Sequence, residues 1–280
     1  MTATAAEPAA PPRQRGRNGR RMLILLAIQL LLFGVPYVTL FVTGQAWPTA
    51  VVIVGTVVFV GAWIAFPFAM FIGHGRPGRD GLTVAADSTL GIVWVLFTWS
   101  ILGNVLRLIL WLSGVHNPAQ ARIVAIAAVA VAAILLAWGN REAMRVPRLK
   151  HVNVAIEGLG AGLDGVRVVL LTDTHYGPIN RARWSARVTD AVNALDPDIV
   201  CHTGDIADGT VDVRREQAAP LGLIRAKLAR AYVTGNHEYF GEADVWLGHM
   251  RDLGWEPLHN RHLVVERDGA QLVIAGVDDR

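Results

Sequence analysis

Two scarcities stand out in this 280-residue chain: it has one cysteine, and only four acidic residues before position 150. With Cys201 alone, no internal disulfide can form. That residue sits inside the apolar run IVCHT, the setting of a small core side chain rather than of a thiol nucleophile. The shortage of acid is local. Residues 1–149 carry 12 Lys/Arg against 4 Asp/Glu, net +8, whereas residues 150–280 carry 14 against 19, net −5. The basic pI of about 9.4 therefore belongs to the first half. Its basic residues flank apolar runs instead of forming a folded basic face, which argues against nucleic-acid binding.

Hydrophobic residues make up 52% of the chain, too many for an ordinary soluble protein, and the excess lies in the first half. Residues 1–21 are rich in Ala, Pro and Arg and read as a disordered basic tail. Four apolar stretches follow: 22–42, 49–72, about 89–112 and about 121–139. Each reaches the roughly 20 residues that a helix needs to cross a bilayer, and four in succession define a transmembrane region over 22–140. Arg13, Arg15, Arg17, Arg20 and Arg21, then Arg76 and Arg79, then Arg141, Arg145, Arg148 and Lys150 all fall on one side of this pattern. The opposite side has only Arg122. The positive-inside rule thus predicts a multi-pass protein of the plasma membrane with both termini cytoplasmic. Arg107, within or near the end of the third span, is by position a candidate functional charge; the plainer reading is that it snorkels toward the interface or that the span ends just before it.

From about residue 150 the pattern changes to that of a soluble α/β domain. VRVVLLTD reads as a buried strand, followed by a helix capped by Asn180 with Trp184, Val188, Val192 and Leu195 at helical spacing. IVCHT is a second strand. A helix starting near Pro220, with Leu221, Ile224 and Leu228 on one face, leads to a third strand, AYVT. A helix over about 244–253 and a hairpin turning at Asp268-Gly269 complete the reading. Alternation of strands and helices predicts a mainly parallel sheet.

Three strands run straight into polar clusters, LLTDTH, CHTGDIAD and YVTGNHEY. In open α/β sheets ligands gather beyond the carboxyl ends of the strands, so Asp173, His175, Asp205, Asp208, Asn236, His237 and Glu238 should converge. Carboxylate, imidazole and amide donors suit a borderline divalent cation such as manganese, zinc or iron. A carboxylate such as Asp205 can bridge two ions, and an ion pair can clamp a phosphoryl group. His202 is expected in the core; His249, His259 and His262 are expected at the surface or in the hairpin.

The ordered series D-x-H, G-D-x-x-D and G-N-H-E, spaced about thirty residues apart, resembles the calcineurin-like metallophosphoesterases. The wording IEGL, LDGVRVVLLTDTHYG and AGVDD is most similar to the membrane-associated bacterial YkuE-like branch. The resemblance covers about 150–280. It implies that Asp173 and His175 bind one metal, that Asp205 bridges two, and that Asn236 binds the second. It also implies that His237 contacts the phosphate and protonates the leaving group. Asp208 matches a supporting position; Glu238 matches none with a clear role. The family continues with a further histidine and a G-H-x-H segment beyond what residues 150–280 contain, so the α/β domain is expected to be its N-terminal part, truncated at the C-terminus.

The expected protein is a phosphoesterase with two divalent metal ions, acting at the membrane surface on a phosphomonoester or phosphodiester, lipid- or nucleotide-linked. The alternative is a non-catalytic membrane protein whose incomplete domain serves as an interaction module or remnant.

Overall fold

A computed structural model describes residues 15–44, 46–75, 78–179 and 182–279. Asn180, expected as a helix cap, and Arg76 lie outside the described residues, as does most of the basic tail. The chain divides into two units: residues 1–67 with 88–136, and residues 68–87 with 137–280.

Helices α1 (Arg15–Tyr37), α2 (Thr49–Gly75), α3 (Asp80–Leu112) and α4 (Gln120–Ala143) supply the first unit, with the end of α2, the start of α3 and the end of α4 counted in the second. All four are long and apolar enough to cross a membrane; the shortest candidate spans have 24 residues, about 36 Å of helix against about 30 Å of hydrocarbon. Their outer faces carry exposed Leu23, Ile53, Val57 and Ile134, side chains that water would disfavour and lipid would not. Helix α1 begins at Arg15, so the tail expected to run to residue 21 is already helical in its last turns. Arginine is a good helix former, and the apolar run behind it propagates the helix backward. Pro36 removes a backbone donor, and the chain loosens into a π-turn over Val38–Val42, where the Thr39 hydroxyl donates to the Val35 carbonyl. On α4, buried Ala121, Ala125, Ala128 and Ala132 form a small-residue seam that permits close helix packing.

The second unit carries a four-stranded parallel sheet in the order β1 (Val168–Leu171), β2 (Ile199–His202), β3 (Ala229–Tyr232) and β4 (Glu256–Pro257). Leu171, His202 and Tyr232 share one register level, so the three following loops leave the sheet side by side. Helices α5 (Ala182–Asn193), α6 (Val211–Ala218), α7 (Asn236–Phe240) and α8 (Ala243–Asp252) contribute to or flank the core formed by Val188, Val192, Tyr232, Trp246, Met250 and Trp255. A hairpin of β5 (Arg261–Arg267) and β6 (Ala270–Gly276) turns at Asp268 and Gly269, both with positive φ, as a primed two-residue turn requires.

The helix expected from Pro220 is displaced. Helix α6 ends at Ala218, and Pro220 opens a 3₁₀ turn over Ala219–Leu223. Leu221 and Ile224 are buried, but their three-residue spacing fits a 3₁₀ turn as well as an α-helix, and Leu228 already leads into β3. Helix α5 stops at Asn193, so Leu195 lies beyond it. The segment after α4 is fastened to α5: Trp184 donates its indole N–H to the Arg145 carbonyl, and Arg187 donates to that of Met144.

Candidate metal centre

The loop after β1 runs alongside the loop after β2. Asp173, His175 and Tyr176 donate their amides to the carbonyls of Gly204, Asp205 and Ile206. This pairing holds three non-glycine residues in the left-handed region: Asp173 (φ 53°), His175 (φ 40°) and Asp205 (φ 51°). Backbone strain of this kind persists only where surrounding contacts over-determine it, and it concentrates at functional sites.

The loops after β2 and β3 touch through glycine. Gly204 has φ +92°, and a Cβ there would lie 2.1 Å from the Gly235 nitrogen. A Cβ on Gly235 would lie 2.3 Å from Asp205 Oδ1. Both positions must therefore lack a side chain for the loops to meet. Glu238, fully buried, locks the contact by accepting the amides of Gly235 (2.7 Å), Asp205 (3.0 Å) and Ile206 (2.7 Å). Burial pushes its carboxyl up from the usual range, while the three amide donors pull it back.

Through these loops, ligand atoms of His175, Asp205 and His237 come within 4.8 Å of one another. His175 Nε2 lies 3.7 Å from Asp173 Oδ1 and 3.8 Å from Asp205 Oδ2, beyond hydrogen-bond reach but within the span of ligands sharing one cation. Asp208 Oδ1 accepts from both imidazoles, His175 Nδ1 at 3.0 Å and His237 Nδ1 at 2.7 Å, which turns both Nε2 atoms away from Asp208. The rings stand edge to face with centroids 4.4 Å apart. Burial works against the His175 imidazolium, but the hydrogen bond and charge of Asp208, with the charges of Asp205 and Asp173, outweigh it and raise the pKa. The carboxylates of Asp173 and Asp205 beside two imidazoles oriented by Asp208 form an anionic donor set that a divalent cation would neutralise, so these residues fit the expected metal.

Asn236, the first residue of α7, is exposed beside the cluster of acidic and imidazole groups, and His237, expected as a proton donor, belongs to that cluster. Asp173 stands at its rim, its carboxylate accepting the Thr172 hydroxyl. Sequence reasoning left Asp208 as a support and Glu238 without a role. Their tasks, orienting two imidazoles and clamping two loops, depend on partners about thirty residues away. A further tie was not expected: Arg214, nearly buried on α6, donates Nε–H to the Asp208 carbonyl (2.9 Å) and pairs with both oxygens of Asp80 (2.9 and 3.0 Å).

Cys201 is half-buried and its thiol is pushed up by burial, which leaves it unsuited to nucleophilic work. His202 is buried as expected and His262 exposed. His259, also exposed, bonds Asp278 at 2.8 Å. His249 corrects the expectation of a surface residue: it is half-buried against Trp246 on α8, and its Nε2 has no hydrogen-bond partner.

Residues 166–276 match the calcineurin-like phosphoesterase family. The chain is 35% identical over 156 residues to a transmembrane protein with metallophosphoesterase domain from Danio rerio, a stretch covering 54% of this chain and 36% of that protein. Its counterpart in Bos taurus is 34% identical over 160 residues, with the same coverage. The uncharacterized metallophosphoesterase YkuE of Bacillus subtilis (strain 168) is 28% identical over 123 residues, 42% of this chain and 43% of that protein. The matched stretch thus spans about a third of the two transmembrane relatives. No solved structure matches the chain significantly.

Proposed function

We propose, from the match of residues 166–276 to the calcineurin-like phosphoesterase family, that the chain hydrolyses a phosphomonoester or phosphodiester at a membrane surface through a dinuclear divalent-metal site. The observation that carries this reading is the convergence of His175, Asp205 and His237 from three strand-end loops within 4.8 Å. Asp173, His175 and Asp205 would hold one cation; Asp205 and Asn236 would begin the shell of a second, manganese, zinc or iron. Bound there, the cations would polarise the phosphoryl group and lower its barrier to attack by water.

The remaining steps fall to the chain's own groups. Asp208 fixes the orientation of both imidazoles through their Nδ1 atoms. His237 Nε2 is then the nitrogen free to contact the phosphate and carry a proton to the leaving oxygen. Glu238 keeps the two loops at a constant separation. Residues 68–87, the ends of α2 and α3 with their connection, belong to the same unit as this site, which supports action close to a bilayer on a lipid- or nucleotide-linked phosphate. The excess of arginine beside the tail, this connection and the end of α4 supports a cytoplasmic orientation in the plasma membrane.

The test is hydrolysis of an aryl phosphate monoester and diester by the detergent-solubilised chain with manganese or zinc added. Metal-dependent turnover is expected, and Asp205→Asn should reduce it to the protein-free rate. Undiminished turnover in that variant removes Asp205 from the reaction; no metal-dependent turnover by the unaltered chain refutes the proposal.

A further inference from the structure

The first unit holds a cation without a counter-charge. Arg107 lies five residues before the end of α3, so its Cα is about 7 Å from that helix terminus, within reach of the headgroup layer for so long a side chain. Nη1 donates to Thr43 Oγ1 (3.2 Å) and Asn104 Oδ1 (3.3 Å), and Nη2 to the Thr43 carbonyl (3.4 Å). All three acceptors are neutral. Nε–H and one Nη2–H have no partner among the described residues, and these two atoms can grip an oxyanion side by side.

No acid in the unit can serve. Residues 8–67 and 88–136 contain neither Asp nor Glu, and Glu7 precedes α1 whereas Thr43 follows its far end. At the headgroup level this guanidinium meets no acid of its own unit, so a negative charge to pair with it would come from outside the chain. The surroundings are shaped for it. Arg107 borders a cavity of about 280 Å³ with Asn104, Leu108, Trp111 and Gln120. Asn104 is itself oriented, donating Nδ2–H to Thr39 Oγ1 at 2.7 Å. Gln120 supplies a second amide, while exposed Leu108 and Trp111 offer apolar flanks of the kind that meet an acyl chain.

We infer that Arg107, with Asn104 and Gln120, forms a binding site for a phosphate oxyanion between the ends of α3 and α4. The apolar flanks favour the headgroup of an anionic phospholipid over free phosphate. The site is independent of the proposed hydrolysis, since none of its residues lies in the phosphoesterase domain.

The test titrates the detergent-solubilised full chain with phosphatidylglycerol, phosphatidylcholine and inorganic phosphate, following bound lipid by native mass spectrometry. Phosphatidylglycerol is expected to bind preferentially, and Arg107→Gln to weaken it about tenfold or more, as loss of a charged hydrogen-bonding fork implies. Arg122→Gln, the control at the same end, should change it far less. Displacement of the lipid by millimolar inorganic phosphate would support the oxyanion site and identify free phosphate as a competing source. Equal phosphatidylglycerol affinity in Arg107→Gln and the unaltered chain would overturn the inference. Should Arg107→Gln fail to fold, Arg107→Lys keeps the charge and loses the fork. It should bind more weakly than the unaltered chain, and equal binding overturns the inference again.

Discussion

His202 makes the stability of the phosphoesterase domain depend on pH in a direction that the structure fixes. The side chain is 1% exposed, at the end of β2, between the rings of Tyr232 and Trp255. Its Nδ1 accepts the Gly204 amide at 3.3 Å. The Thr174 hydroxyl donates to the Ile206 carbonyl, and its oxygen lies 3.3 Å from His202 Nε2, placed to accept the Nε2–H. The neutral Nε2–H tautomer satisfies both contacts. A second proton on Nδ1 would face the Gly204 N–H and break that bond, which holds the turn before Asp205. Burial lowers the pKa from 6.5 to about 4, with the charge of Asp173 opposing weakly. Because the folded pKa is depressed, the stabilisation is complete above pH 6.5 and is lost as pH falls toward 4. That gap corresponds to about 3 kcal/mol. It should lower the unfolding midpoint by on the order of 10 °C between pH 7.5 and 4.5. Other groups titrate in this range, so the measurement is a difference. Thermal unfolding of the unaltered chain and of His202→Asn is followed by tryptophan fluorescence across the pH range. Asparagine retains an acceptor near Nδ1 and cannot be protonated. The variant should be less stable at pH 7.5 and should lose much less on acidification, so the two profiles converge. Parallel profiles would refute the reasoning, because His202 would then titrate alike in the folded and unfolded chain.

Two further perturbations test how the site is held. Asp208→Asn should weaken metal binding about 10- to 100-fold with little change in secondary structure, since the amide can no longer accept strongly from both Nδ1 atoms; equilibrium dialysis with manganese or zinc measures it. Asp80→Asn leaves the nearly buried Arg214 without its counter-charge and should cost about 3 kcal/mol of domain stability. Denaturant unfolding checks this, and an unchanged midpoint would mean that the pair contributes nothing net.

What the sequence disclosed and what it hid divides by the range of the interactions involved. The four spans are legible because an apolar run of sufficient length needs no partner to identify it. The three loops are legible because a carboxylate or amide close to a histidine at a strand end, preceded by glycine in two of the three, is a local pattern with few structural uses. Arg214 and Asp80 are 134 residues apart, and nothing near either announces the other. Glu238 escaped because its partners are backbone amides, which carry no side-chain signature. The misplaced helix at Pro220 has a different cause. Buried positions three residues apart satisfy both helical periods, and the chain takes the shorter turn over Ala219–Leu223, with Pro220 in its first positions.

These long-range ties bear on how the centre works. Three carboxylates this close together, Asp173, Asp205 and Asp208, would repel one another apart if the backbone were free. Here the backbone is fixed before any cation enters: the β1 loop is paired to the β2 loop, the β2 loop is pressed against Gly235, and Glu238 spans that contact. Asp173, His175 and Asp205 are held in left-handed geometry by this frame. The mutual repulsion of the carboxylates is therefore stored in the site and released when a cation binds, so binding energy need not be spent on ordering the loops. Arg214 extends the frame, bonding the Asp208 carbonyl on one side and the carboxylate of Asp80, at the first turn of α3, on the other. The helix end that anchors Asp80 and the residue that orients both imidazoles thus share a single guanidinium. That makes the first turn of α3 part of the support of the metal centre.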